Sequence, residues 1–470
     1  MTASDRRIAL GLFALLLVTY AWFFSGGGWN QNAHFDLTRA LVERQTLHID
    51  GYHQNTGDVS WSRASGLWHV YINKPPGVSF LAAVPYALMY VGERMLGARV
   101  DGWFVMTVNA WIVTILTCGV AGALIPAVLY AYGRRVGISP RGALAVALAI
   151  GLGTIVFPYS TLLIAHVPPA LFLLLAFYWM DERPLLAGVC AGVAGASYYL
   201  CIPAAAILLL GIWSRGGARA AARFALGGLP FGALLLLYQW LCFGSPFTTS
   251  LEISDRFTEQ GLLFGVFRTP SLQALWGLTF GDYRGLFFVS PILLLAVIGA
   301  VRMPRRELLL IGSIVLFFLL AVASFNQWWG GYAFGPRYIL PIVPLLGVAM
   351  LYLRGRWVVP VGLLLGLISF GMQLMATAVN PTPSSRLLHP VQDYLFPRFV
   401  AGMTSVNGQG IDEIGAHQRS RPGSQESLWN SFNAGELVTG PTTTLSLLPL
   451  LAVLLAGTAL LWRRASAPVP

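Results

Sequence analysis

Charge is what this 470-residue chain has least of. Asp, Glu, Lys and Arg make up only 10% of it, against roughly 25% in ordinary soluble domains. Hydrophobic residues make up 56%, and mean hydropathy is +0.67. A soluble chain of this length could not bury so much apolar surface. Its repeated apolar runs approach the roughly 20 residues that cross a hydrocarbon core. Cysteine is also scarce. Cys118, Cys190, Cys201 and Cys242 all fall in or beside apolar runs, which excludes a disulfide framework and any CxxC metal spacing. No repeat of fixed period and no low-complexity tract occurs. The formal charge is +11, yet the arginines cluster at helix ends, where the positive-inside rule wants them. The basic excess therefore reads as topology, and no nucleic-acid partner is expected.

The N-terminus, MTASDRR followed by an apolar run over 8–24, has the outline of a signal peptide. SGGGWNQN is a weak cleavage site, so an uncleaved first span is expected. Arg6 and Arg7 then put the N-terminus in the cytoplasm and the next loop outside. Basic punctuation at GRRVGISPRG, SRGGARAAAR, RMPRR and LRGR marks further cytoplasmic turns. Spans are predicted near 142–158, 163–180, 185–199, 202–213, 222–242, 286–301, 307–324, 337–353, 357–376 and 444–462. Residues 77–97 are placed at the membrane surface, and 102–132 is either one helix or two broken near Gly119–Gly122. The expectation is an all-α polytopic membrane protein with about twelve transmembrane helices. A membrane region over 1–376 carries outer loops at 25–76 and 244–285. An ordered outer segment follows at 377–443, then a final helix and tail at 444–470.

Between the spans, ionisable groups are sorted by side. The predicted outer loops hold Asp36, Asp50, Asp58, Lys74, Glu252, Asp255, Asp282, Arg284 and Arg337, while the mid-membrane runs hold almost none. Transporters usually carry such groups at the midplane, so chemistry at the outer face is favoured over solute passage. Residues 30–76 are the richest stretch. After Asp36, Leu37, Ala40 and Leu41 recur with helical spacing. Asp36 is either a helix cap or a site residue, and turn chemistry accounts equally well for Asp50 and Asp58. Lys74 precedes Pro75–Pro76 in an extended stretch, and is either a snorkelling lysine or a phosphate contact. Arg337, in GPRY, is a cation on the wrong side for topology and suits bidentate phosphate binding. His166 is either a packed helix-end residue or a site residue. Trp328, Trp329, Tyr332 and Phe334 read as an interfacial aromatic belt, and Asp282 and Arg284 as a pair across a turn. Asp58, His53, His166 and Tyr338 are further candidates for substrate contact.

In order along the chain, FDLTRAL, INKPPG, an Asn-bearing apolar helix ending in YGRR, FGSPF, DYRGLFFVSP and WWGGYAFGPRYILPIVP resemble bacterial GT-C glycosyltransferases. This superfamily includes protein mannosyltransferases and the lipid A aminoarabinose transferase. The resemblance implies a GT-C-like fold with an extracytoplasmic site in the bacterial plasma membrane. It implies a polyprenyl-phosphate-linked sugar as donor, a glycan, lipid or protein acceptor, and contact with membrane lipids. Asp36 would be the catalytic base, Lys74 would bind the donor phosphate, and Arg337 would be a second phosphate contact by position. Leu37 stands where the common pattern has a second acidic residue, so no metal and no cofactor are expected. A lipid or glycan transporter and a non-catalytic relative of the fold stay open beside this reading.

Overall fold

The computed structural model describes residues 2–254, 258–259, 262–406, 431–440 and 443–466. Asp255 and residues 407–430 of the predicted outer segment lie outside the described residues.

The first helix, α1 (Ala3–Ala21), begins with a capping box between Thr2 and Asp5. Asp5 is buried. It accepts hydrogen bonds from Arg134 Nε at 2.7 Å and Tyr130 Oη at 3.1 Å, tying α1 to Val120–Arg135. The run over 102–132 is one rod: Trp103–Thr114 passes through a π-helical turn, Ile115–Gly119, into Val120–Arg135. The extra residue of the π turn absorbs the irregularity that the Gly119–Gly122 pattern announces. Among the described residues, five helices are long and apolar enough to cross a membrane: Phe104–Arg135, Cys201–Phe243, Arg305–Ala323, Val358–Val379 and Thr444–Ser466. Shorter apolar helices include Pro140–Gly153, Val167–Trp179 and Pro184–Ser197. This is a mostly helical membrane protein. SRGGARAAAR holds a break between two helices, as expected: the helical stretch Cys201–Phe243 is interrupted at Gly217 (φ 70°, ψ −174°), and both halves pack on Pro184–Ser197, Ile202 against Gly195 and Phe224 against Gly188.

Close packing inside the bundle uses glycine. Pro184–Ser197 lies against Cys201–Phe243 so tightly that a Cβ on Gly188 would stand 1.9 Å from the Phe224 carbonyl oxygen, and one on Gly227 would stand 2.0 Å from that of Leu185. Small residues permit such approach where lipid supplies no hydrophobic drive between helices.

Residues 23–86 form a cap at one end of the bundle. Helix α2 (Trp29–Arg39) is buried almost throughout. After the two-residue strand β1 (Phe23–Phe24) and α2, a hairpin of β2 (Val59–Ser62) and β3 (His69–Ile72) follows, in register from Val59↔Ile72 to Ser62↔His69. Ala33, Leu37, Ala40, Ile49, Tyr52, Val70 and Ile72 give this cap its own apolar core. Helix α3 (Gly77–Met95) packs on α2 through Phe35 and Tyr86 and leaves Phe80, Val84, Leu88, Val91 and Met95 exposed, an apolar stripe at helical spacing.

Gly188→Val is expected to lower the detergent melting temperature well below wild type, whereas Gly232→Val, where a Cβ meets open space, is expected to leave it nearly unchanged. Overpacking costs about 1–3 kcal/mol or more. Equal melting temperatures for the two variants would contradict the tight helix pair.

Candidate active site

Beneath the cap lies a cavity of about 560 Å³. Its apolar wall includes Leu263, Phe264, Phe267, Phe317 and Phe325, and its polar end carries Asn30, Asn73, Lys74, His166, Tyr198 and Tyr338. Leu263 and Phe264 are themselves exposed, so the apolar wall runs out to the surface.

The hairpin sets the polar end. Asp58 precedes β2, and Asn73–Lys74 follow β3, so strand pairing brings them together. Lys74 Nζ lies 3.3 Å from Asp58 Oδ1, with the Asp58 side chain only 7% exposed. Pro75 and Pro76 then stiffen the exit, and α3 starts at once. Arg337 comes from the opposite side, at the start of a 3₁₀ turn, Arg337–Ile342. It is buried, its Nε has no hydrogen-bond partner, and its guanidinium lies 5.4 Å from the Tyr338 ring. The loop before it needs its glycines. Gly330 has φ 75°, and a Cβ there would meet Arg337 Cγ at 3.2 Å.

Other polar atoms at this end are also buried without partners: Asn30 Oδ1, Asn73 Oδ1, His166 Nδ1 and His34 Nε2. Buried polar groups are nearly always satisfied, so a cluster of bare ones beside a cavity marks where a ligand would supply the missing bonds. The His166 ring is walled by Tyr198 at 5.1 Å and Tyr338 at 5.7 Å. His34 Nδ1 is 3.0 Å from Ser79 Oγ. Burial, with the positive charges of Lys74 and Arg337, pushes His34 down to about 3 despite Asp58, so it stays neutral.

Asp36 sits elsewhere. At 100° per residue it points about 120° around α2 from Asn30, away from the cavity-lining residues. It is fully buried, its Oδ1 accepts from Asn55 Nδ2 at 3.2 Å, and its Oδ2 has no hydrogen-bond partner. Burial lifts its carboxyl to about 8, against the pull of Arg39 and Asn55. His53 is likewise off the cavity wall; its Nδ1 lies 3.0 Å from the Asp50 carbonyl oxygen.

Two structural expectations need correction. Arg284 does not pair with Asp282. It is fully buried and donates to the carbonyls of Trp329, Gly331 and Tyr283 at 3.0–3.1 Å, fixing the loop that precedes Arg337. Asp282 instead faces His389 at 2.5 Å. A three-way backbone fork satisfies a buried guanidinium better than one turn neighbour could. Nor does Phe334 belong to an interfacial aromatic belt: it is fully buried, whereas Trp328, Trp329 and Tyr332 are half-buried. Asn30, His34, Asn73 and Tyr198 escaped the sequence reading. Asn30, His34 and Asn73 lie in the polar stretch 30–76, which was the available signal; Tyr198 sits in an apolar run and had none.

Asp36 makes stability depend on pH. The folded state keeps a proton that the unfolded chain releases above about 3.8, so stability is full below that pH and is lost as pH rises through about 8. Melting temperature in detergent should fall across this window in wild type and fall less in Asp36→Asn. Parallel curves would rule out the buried neutral carboxyl.

No family model matches the chain, and no curated protein does. Two solved structures do, both of ArnT from Cupriavidus metallidurans. One, bound to undecaprenyl phosphate, is 16% identical with a TM-score of 0.46, over 98% of this chain and 75% of that one. The other, in the apo state, is 15% identical with a TM-score of 0.49, over 99% of this chain and 77% of that one.

Proposed function

We propose that the protein is an integral membrane glycosyltransferase that moves a sugar from a polyprenyl-phosphate-linked donor to an envelope glycan, lipid or protein acceptor outside the cytoplasm. The observation that carries this reading is the cavity itself: an apolar wall reaching the surface and ending at Lys74 and Tyr338, with the buried Arg337 guanidinium behind Tyr338. An amphiphile with a long apolar chain and an anionic head matches both halves. The motif resemblance over most of the chain points to the same donor class, and about twelve spans belong to the same reading.

In the reaction, the acceptor hydroxyl or amine attacks the anomeric carbon from the face opposite the phosphate. The bond from that carbon to the phosphate oxygen breaks, and the polyprenyl phosphate leaves with the electron pair. The anomeric centre inverts. Lys74 and Arg337 stabilise charge growing on the phosphate, the arginine through a planar fork and the lysine as a point charge. His166 and Tyr338 line the donor side, and Asp58 holds Lys74 in place. Asp36 takes the acceptor proton. A carboxyl near 8 lies close to the working pH, which suits a general base. Its position off the cavity wall requires α2 to shift, or the acceptor to enter from the Asn55 side.

The test is a glycan comparison by mass spectrometry in a host lacking the gene, with wild type, Asp36→Asn and Lys74→Ala. A hexose- or pentose-sized addition should appear with wild type, be lost with Asp36→Asn, and fall about 100-fold or more with Lys74→Ala. Identical profiles with and without the inserted wild-type protein would reject the transferase in favour of a transporter or a non-catalytic role. A fully active Asp36→Asn would remove that residue from the chemistry.

A further inference from the structure

A second cluster lies away from the cavity, at the far end of the hairpin. His48 Nδ1 and His69 Nδ1 face the same oxygen, Asp50 Oδ2, at 3.2 and 2.7 Å. The two imidazoles stack, with centroids 4.2 Å apart and planes 22° from parallel. His69 is hydrogen-bonded to that oxygen. His48 Nδ1 is buried and has no hydrogen-bond partner. We propose that His48, Asp50 and His69 bind a divalent cation of the zinc class, which clamps the loop after α2 to β3.

Backbone contacts hold the three donors together before any ion arrives. Ile49 N–H donates to the Val70 carbonyl at 2.7 Å, and Val70 N–H donates to Asp50 Oδ1 at 2.8 Å. These two bonds pin the loop to β3, so that His48 and His69 both present Nδ1 to the Asp50 carboxylate. Zinc bonds of about 2.0–2.2 Å in a tetrahedron set donor atoms roughly 3.3 Å apart. The His48–Asp50 separation already fits, and the His69–Asp50 separation must open by roughly half an ångström. The side chains of His48, His69 and Asp50 are 29%, 20% and 37% exposed, so water can complete the coordination. Two imidazoles and one carboxylate suit zinc, and also cobalt or nickel, better than calcium or magnesium.

The site is a positioning device. The register places His69 opposite Ser62, whereas Val59 and Ile72 close the other end, next to Asp58 and Lys74. Roughly 10 Å of strand separates the two ends. Clamping the far end restrains the hairpin whose near end holds the cavity lysine. This inference does not depend on the transfer reaction.

Full-length, tag-free protein in detergent is stripped with EDTA, equilibrated with Zn²⁺, and freed of excess metal. Wild type should retain one zinc per chain by elemental mass spectrometry and melt at a higher temperature than the stripped form. His48→Asn and His69→Asn should bind at least ten-fold more weakly. Wild type that retains no zinc, or variants that retain as much as wild type, would overturn the proposal. A second measurement needs no variant. Zinc should protect His48 and His69 of wild type from diethyl pyrocarbonate, mapped by peptide mass spectrometry, and equal modification with and without zinc would also overturn it.

Discussion

Positive charge buried at the end of an apolar bundle is the constraint on which this site rests. Lys74 and Arg337 are both drawn out of water, and Asp58 is the carboxylate in contact with the lysine. An uncompensated buried ion costs several kcal/mol, and Arg337, buried with an unpartnered Nε, leaves room for an anion. Arg284 does not alter that balance, because its guanidinium is taken up by backbone carbonyls of the loop behind Arg337. The helices serve this arrangement by supplying a rigid floor. The cap over 23–86 serves it by folding a hairpin whose base brings Asp58 to Lys74.

The transmembrane character was plain from hydropathy, because crossing hydrocarbon leaves so few backbone solutions. Lys74 before two prolines and Arg337 after a glycine-rich loop were legible as unusual residues in unusual places; Lys74 lines the polar end of the cavity, and Arg337 is buried beside the lining residue Tyr338. Other features were hidden. The partner of Arg284 could not be read from DYRG, because the receiving carbonyls lie more than forty residues away. Tyr198 joins the cavity from an apolar run, where sequence offers no contrast. His48, Asp50 and His69 form a cluster only after β3 folds back on the preceding loop.

Asp36 shows where sequence and geometry answer different questions. The motif selects it, and its burial gives it a proton affinity near the working range of a base. Its direction on α2, however, keeps it off the cavity wall, while Asp58, which turn chemistry explained equally well, stands beside the cation. A buried carboxyl with an unpartnered oxygen is costly. Such a cost, at a place the fold could have filled with an apolar side chain, is the signature of a residue kept for its chemistry or for a second conformation of the cap.

The most direct measurement is lipid binding to the purified wild-type protein by native mass spectrometry, comparing a polyprenyl phosphate with the matching polyprenol. The phosphate form should bind at least ten-fold more tightly, and Lys74→Gln or Arg337→Gln should remove most of that preference while leaving polyprenol binding unchanged. Equal affinity for the phosphate and the alcohol in wild type would contradict the account, since the buried cations would then have no anionic head to hold.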